Sequence, residues 1–123
     1  EFGFEAQGPG AQAMLGESGL TLNAGDKIRF YYSSDAPAYL MIVGRESSGK
    51  ISLYYASENE QALAIQSGSN QILSNTFVLD NFKGTETYTA LFSDQVFSFN
   101  DAQVALDKNT SKIKQLSFII RKQ

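Results

Sequence analysis

The sequence predicts an all-β fold, a mainly antiparallel β-sandwich of about seven to eight strands with one short helix near residues 99–108. Short segments in which apolar and polar residues alternate recur along the chain, and residues that favour turns separate them. The predicted strands lie close together in sequence, so their pairing should be mainly antiparallel. With 123 residues the chain has the length of one domain, and we assign residues 1–123 to a single sandwich.

The first clear strand follows a weakly patterned beginning. Residues 1–24 are rich in glycine, and we expect them to form an irregular lead-in of short strands or a hairpin. After this lead-in, Ile28, Phe30 and Tyr32 recur at every second position. Because successive side chains of a strand point to opposite faces, these three residues should share one face and pack into a core.

A central strand and a hairpin come next. Pro37 indicates a turn, because proline lacks the amide proton that a central strand donates. Residues 38–45 are apolar on both faces and should form a strand that is covered on both sides. A short loop with Gly49 leads to another alternating strand at residues 51–55. We expect these strands and the one before Pro37 to pair in sequence order, as an antiparallel meander.

The middle of the chain changes in character. Residues 57–74 are polar and show no long period, so we expect a long loop with at most one helical turn beginning at Ser57. Strand patterns return at residues 76–79 and 85–93. Long loops in compact domains are often functional or mobile, and this one could be either.

The last part of the chain predicts one helix and one strand. Ser98 has the residue type and position of an N-cap, with Asp101 in the first helical turn and Asn109 as the expected end. Residues 113–122 alternate again, which predicts a final strand.

The composition excludes several kinds of chemistry. The chain contains neither histidine nor cysteine, which excludes histidine acid–base catalysis, thiol nucleophiles, Cys/His zinc sites and disulfides. Its net charge of −3 argues against a nucleic-acid-binding surface. The longest wholly apolar run, residues 38–43, is much shorter than the roughly 20 residues of a membrane-spanning helix. We therefore predict no cofactor, no nucleic-acid partner and no direct membrane insertion.

Carboxylates are the remaining candidates for catalysis or metal binding. Glu58 and Glu60 lie close together, and Asp94 and Asp101 flank a predicted loop. A glycosidase needs two carboxylates at a defined separation across a cleft, and the sequence fixes no such separation. The segment from Glu58 to Glu60 could supply oxygen ligands for Ca²⁺, but the EF-hand spacing is absent. We predict no catalytic residue and no metal site, and hence no enzyme.

Aromatic residues suggest a binding surface. Alternation places Arg29 and Tyr31 opposite the core face of their strand, and Tyr54 on the outer face of its own strand. Tyr39 or Met41 of the central strand could join them, with Arg29 and Arg45 at the rim. Tyrosine and arginine are favoured in recognition surfaces, and a flat ring can stack on a sugar. In the alternative, the lead-in or the long polar loop covers this patch, since a strand that is apolar on both faces is usually buried on both.

An ordered set of turn and core residues over about residues 20–108 resembles an uncharacterised bacterial β-rich domain family. The resembling residues are Gly25-Asp26, Tyr39-Leu40, Gly49, Leu53-Tyr54-Tyr55, Gly84 with Glu86, and Ala90-Leu91-Phe92-Ser93. Such domains occur in the extracytoplasmic parts of secreted or membrane-anchored proteins, including anti-sigma-factor-like regulators. The resemblance implies a sensing or interaction module, periplasmic or extracellular, within a larger envelope protein. It implies no catalytic residue.

These observations lead to two expected functions. The first is a non-catalytic interaction or sensory domain that binds a protein partner through the tyrosine-bearing face or through an exposed sheet edge. The alternative is a carbohydrate- or envelope-polymer-binding module that stacks sugars on the same tyrosines. An enzyme that uses carboxylates alone is a distant third. The sequence allows a monomer and a dimer equally.

Overall fold

The architecture is a sandwich of two β-sheets with a helix on the outer side of one of them, in a computed structural model that describes residues 1–8, 12–81, 83–108 and 112–123. The predicted all-β sandwich with one short helix is confirmed. The strands are β1 Phe2–Gln7, β2 Met14–Leu15, β3 Leu20–Leu22, β4 Lys27–Ser34, β5 Ala38–Glu46, β6 Ile51–Tyr55, β7 Leu63–Ile65, β8 Gly68–Val78, β9 Gly84–Ser93 and β10 Lys114–Lys122, and the helix is α1 Phe99–Lys108.

The two sheets differ in size and in what covers them. Sheet A has the strand order β2-β1-β4-β8, and sheet B has the order β3-β10-β9-β5-β6, with β7 also pairing with β5. Within the described residues the pairing is antiparallel except between β3 and β10, which are parallel. These residues form ten strands, more than the seven to eight expected, because several short pairing segments carry no alternating pattern.

Two apolar clusters fill the structure. The larger lies between the sheets and includes Ile28, Phe30 and Tyr32, so the predicted core face of β4 is confirmed. The smaller lies between sheet B and α1 and includes Met41 and Val43. Sheet B is therefore covered on both faces, which explains why β5 is apolar on both of its faces.

The predicted meander is wrong in one step. β4 pairs with β1 and β8 in sheet A, whereas β5 pairs with β9, β6 and β7 in sheet B. The chain crosses from one sheet to the other at residues 35–37. The physical reason is that β4 has one apolar face and suits a sheet with one face in water, whereas β5 needs cover on both faces. The hairpin from β5 to β6 is confirmed, with Gly49 at φ 98° in its turn.

The expected loop at residues 57–74 is also wrong in part. It contains β7 and the beginning of β8, which is held to β4 by backbone pairing while most of its side chains remain exposed. A strand of this kind has no alternating pattern for sequence reasoning to detect. At Ser57 the chain makes a turn and no helix, because Glu60 adopts φ 58° and the Gln61 amide donates to Ser57 Oγ at 3.1 Å.

The lead-in at residues 1–24 belongs to both sheets. β1 lies between β2 and β4 in sheet A, and its Phe4 is almost completely buried. β1 and β2 form the expected hairpin, and β3 adds to the edge of sheet B beside β10.

The predicted helix is confirmed with its N-cap. Ser98 Oγ accepts the Asp101 amide proton at 3.1 Å, and the Asp101 carboxylate accepts the Ser98 amide proton at 3.0 Å, a reciprocal cap. Ala102 and Ala105 face the smaller apolar cluster. The expected helix end at Asn109 lies outside the described residues. No helix in the described part of the chain has the length and apolar character that crossing a membrane requires.

Candidate functional site

The five residues predicted to share a binding surface lie in three different places. Arg29 and Tyr31 lie together on the outer face of sheet A, where alternation placed them. Tyr39 and Arg45 lie on the face of sheet B that is turned towards α1. Tyr54 packs against the core between the sheets. The single patch predicted from alternation is therefore wrong.

The error at Tyr54 has a simple cause. Sequence reasoning assumed that the apolar residues Ile51 and Leu53 mark the core face of β6. They pack instead against the smaller cluster beside α1, and Tyr54 on the opposite side of the strand enters the space between the sheets. Both faces of sheet B are covered. Alternation therefore divides the side chains of β6 into two sets, but it does not tell which set faces sheet A.

We define the sheet A surface by five residues on its outer face: Glu5, Leu15, Arg29, Tyr31 and Ile72. Glu5 is paired in register with both Leu15 and Arg29, and Tyr31 is paired with Ile72, so these side chains form two adjacent rows. Arg29 Nη2 forms an ion pair of 2.9 Å with Glu5 Oε1. These rows place an aromatic ring, an arginine and two aliphatic side chains side by side.

Tyr31 occupies a defined position on this surface. Its ring end lies over Gly3, its register partner on β1, where a Cβ would lie 2.7 Å from Tyr31 Cε2. The absence of a side chain at Gly3 therefore lets the ring rest on the strand. Leu15 and Ile72 are exposed to 71% and 50%, and no described element covers them. A flat surface that combines exposed apolar groups with tyrosine and arginine has the composition of a protein-binding surface.

The long edge of sheet A is less suited to binding than its face. β8 is the edge strand, and its register with β4 shifts twice, between Arg29 and Tyr31 and between Tyr32 and Ser34. Such bulges increase the local twist and interrupt the row of backbone groups that an added strand would need. The expected binding through an exposed edge therefore has less support than binding through the sheet A surface.

A buried polar cluster, which sequence reasoning missed, lies at one end of the sandwich. The Glu86 side chain is 1% exposed and that of Lys122 is 2% exposed, and Lys122 Nζ contacts both Glu86 Oε1 and, at 3.3 Å, the half-exposed Asp80. The Tyr54 and Tyr88 hydroxyls donate hydrogen bonds of 2.8 Å to Glu86 Oε2 and Oε1. A signal was available, since Glu86 and Lys122 occupy inward positions of their strands, where charges are rare.

This cluster raises the pKa of both tyrosines. Burial is the largest cause for each phenol, and the neighbouring Glu86 raises the pKa of Tyr54 further. For Tyr88, the adjacent Tyr54 and then Glu86 add to the effect of burial. No buried side-chain nitrogen or oxygen in the described residues lacks a hydrogen-bond partner. The cluster is thus a hydrogen-bonded network whose Glu86 and Lys122 side chains are buried in the core.

The opposite end of the sandwich carries an open groove with a volume of about 1230 Å³. Its described lining comes from the connection between β4 and β5, the connection between β9 and α1, and residues 112–114 at the beginning of β10. Asp94 and Asp101, one of the carboxylate pairs considered above, line this groove, whereas Glu58 and Glu60 lie exposed outside it. The described residues contain no group of three or more acidic side chains that could hold a metal ion.

Comparisons with protein-family models, with curated proteins and with solved structures gave no match for this chain.

Proposed function

We propose that this chain is a non-catalytic interaction domain of a larger bacterial envelope protein and that it binds a protein partner through the sheet A surface. The observation that carries the proposal is a pair of rows that no described element covers, in which Tyr31, Ile72 and Leu15 lie around the Arg29–Glu5 ion pair. The extracytoplasmic setting, periplasmic or extracellular, rests on the resemblance described above.

The arrangement of charges on this surface supports a protein partner. Arg29 and Glu5 are each partly exposed, with 40% and 23% of their side chains accessible. Such a pair contributes little to stability in water, but it gives a partner a fixed positive and a fixed negative group to recognise. The exposed aliphatic side chains supply apolar area that association would bury.

A photocrosslinking experiment in cells tests this proposal. Ile72 is replaced by the photoreactive residue benzoylphenylalanine in the full parent protein, and Glu58, exposed on a turn, is replaced in a control. We expect one adduct of defined mass from position 72 and none from position 58. Adducts from both positions, or from neither, would contradict the proposed surface.

A charge-reversed variant provides the matched control. Glu5→Arg combined with Arg29→Glu keeps the internal ion pair but reverses its direction, so the fold should keep its melting temperature. We expect this double variant to lose the adduct at position 72, because the partner then meets like charges. An adduct of unchanged yield would show that the partner does not recognise the charges of the Arg29–Glu5 ion pair.

The alternative function, binding of a carbohydrate or another envelope polymer, has one supporting feature. The Tyr31 ring is fixed over Gly3 and partly accessible, as a stacking platform would be. A polysaccharide fragment that raises the melting temperature of the wild type, but not that of Tyr31→Ala, would favour this alternative. The described lining of the groove contains no tyrosine, so the groove offers no such platform.

A further inference from the structure

The buried polar cluster holds an amine directly against a carboxyl group. Lys122 is paired in register with Gly84, and Glu86 is paired with Ile120, so Lys122 and Glu86 are diagonal neighbours on one face of sheet B. Long side chains of diagonal neighbours on adjacent strands can meet, and Lys122 Nζ contacts Glu86 Oε1. These two side chains are almost completely buried. The cluster shares no residue with the sheet A surface.

Two phenols donate to the carboxyl group of this pair. The Tyr54 hydroxyl lies 2.8 Å from Glu86 Oε2, and the Tyr88 hydroxyl lies 2.8 Å from Glu86 Oε1. Because burial raises the pKa of both phenols, they keep their protons and remain donors at neutral pH. When a nucleophile adds to a carboxyl carbon, negative charge develops on the oxygens, and fixed hydroxyl donors stabilise it as an oxyanion hole does. Glu86 is therefore held as the acceptor of such an attack.

Asp80 adds a group that can move a proton. Its Oδ1 lies 3.3 Å from Lys122 Nζ, and 57% of its side chain is accessible to solvent. An ammonium group becomes a nucleophile only after it loses a proton, and a carboxylate within hydrogen-bond reach can accept that proton. The nitrogen of Lys122 thus has a carboxyl carbon to attack on one side and a proton acceptor on the other.

We propose that Lys122 and Glu86 condense in the folded chain to form an intramolecular amide bond. The ammonium group gives one proton to Asp80, and its nitrogen attacks Glu86 Cδ. A C–N bond forms and one C–O bond of Glu86 breaks. The departing oxygen takes a second proton from the nitrogen and the first proton back from Asp80, so one water molecule leaves and Asp80 is unchanged. The freshly folded chain holds the ion pair, and the amide accumulates afterwards.

The burial of the charges selects Glu86 over Asp80 as the group that is joined to the lysine. Condensation with Glu86 removes an ammonium and a carboxylate that are both buried, and a buried ion pair carries a large desolvation cost. A bond to Asp80 would remove the ammonium and leave the buried Glu86 carboxylate behind, which is unfavourable. The two phenols also donate to Glu86.

Mass spectrometry of the purified chain, incubated at neutral pH until its mass is constant, tests the proposal. We expect the loss of the mass of one water molecule. Trypsin cleaves after Lys83, Lys108 and Arg121, so the amide should give a branched peptide that joins residues 122–123 to residues 84–108. Absence of this peptide would overturn the proposal. A branch on residues 51–83, which contain Asp80, would overturn the choice of Glu86.

A lysine variant and a tyrosine pair test the chemistry, with thermal unfolding to confirm that each variant is folded. Lys122→Arg keeps a cation beside Glu86 but supplies no amine nucleophile, so the branched peptide should be absent. Tyr54→Phe removes one donor to Glu86 and should slow the reaction about 100-fold. Its control is Tyr39→Phe, on the face of sheet B that is turned towards α1, which should react like the wild type. Equal rates in the two tyrosine variants would contradict the oxyanion role.

A second pair of variants tests the proton acceptor. Asp80→Asn keeps the size of the side chain but cannot accept the ammonium proton, so the reaction should be about 100-fold slower. Asp107→Asn is the control, because Asp107 is also an exposed aspartate in an ion pair, with Arg45 at 3.6 Å, and lies outside the buried cluster. An unchanged rate in Asp80→Asn would show that Asp80 does not move the proton.

Discussion

The Tyr54 hydroxyl of β6 donates a hydrogen bond of 2.8 Å to Glu86 Oε2 of β9, across the intervening strand β5. Gly44 makes room for this contact, since it is the register partner of Ser52 on β6 and of Tyr88 on β9. A Cβ at Gly44 would overlap Glu86 Oε2 and lie 2.6 Å from Tyr54 Cε2. Side chains of β6 and β9 thus meet across β5 at Gly44, where β5 carries no side chain.

We expect Gly44→Ala to destabilise the fold, because the new methyl group overlaps the Tyr54–Glu86 contact. The loss should be about 1–3 kcal/mol, as for other overpacked cores, and urea unfolding measures it. Gly8→Ala is the control, since a Cβ there would lie 3.5 Å from the nearest atom, Asp26 Oδ1, which is an ordinary contact. Equal stability of the two variants would contradict the close packing around Gly44.

Glu86→Gln should cost more than an ordinary surface substitution. It keeps the shape of the side chain but leaves the buried Lys122 ammonium facing a neutral amide, with Asp80 as the remaining carboxylate within 4 Å among the described residues. Removing one partner of a buried ion pair costs about 3–5 kcal/mol, and denaturant unfolding measures the loss.

Two further variants separate the charge effect from a general one. The exposed Glu58→Gln should change the free energy of unfolding by less than about 0.5 kcal/mol. Adding Lys122→Met to Glu86→Gln removes the buried ammonium that has lost its buried carboxylate partner and should recover part of the lost stability. If the double variant is as unstable as Glu86→Gln, the buried ammonium of Lys122 is not the cause of the lost stability.

Alkaline pH should destabilise the fold through Tyr54 and Tyr88. Burial and Glu86 raise the pKa of the Tyr54 phenol above its usual value of 10.0 in the folded state, so the folded protein resists the loss of this proton. The corresponding stability is complete below about pH 10 and is lost as the pH rises towards the folded-state pKa. We expect the urea midpoint of the wild type to fall as the pH rises above this value.

The comparison that checks this prediction uses two phenylalanine variants. Tyr54→Phe removes one of the buried phenols and should show a shallower fall of the midpoint with pH. Tyr31→Phe, on the outer face of sheet A, should follow the wild type. A fall of equal steepness in Tyr54→Phe would mean that other groups control the alkaline unfolding.

The N-cap of α1 gives a smaller and more local prediction. Ser98→Ala removes the oxygen that accepts the Asp101 amide proton and should lower stability by about 1 kcal/mol. Ser98→Gly should cost only a few tenths of a kcal/mol by the same reasoning, because glycine is tolerated at this position. Thermal unfolding followed by circular dichroism distinguishes the two, and the reverse order would argue against the cap.

The sequence predicted correctly those strands and the helix whose position depends on a single physical cause. The alternation of Ile28, Phe30 and Tyr32, the apolar strand β5 and the capped helix were all found where expected, because burial on a known face or a side-chain cap determines each. β8 was missed because backbone pairing, and not burial, holds most of it.

The candidate site was harder to predict, since it depends on which face of a strand meets which layer. Arg29 and Tyr31 were placed correctly because β4 has one apolar face. Tyr54 was misplaced because both faces of β6 are partly covered, and alternation alone does not say by what. The groove was not predicted, because the described residues that line it come from segments that are distant in sequence.

The pairing of β3 with β10 has a consequence for how the chain acquires its fold. These strands join Leu20–Leu22 to residues at the far end of the chain, and nearby the Ile119 amide donates to Ser18 Oγ across 101 positions. Closing so long a loop is entropically costly before any contact compensates for it, and proteins rich in such distant pairings fold in milliseconds to seconds. Sheet B can therefore be completed only after β10 has been synthesised.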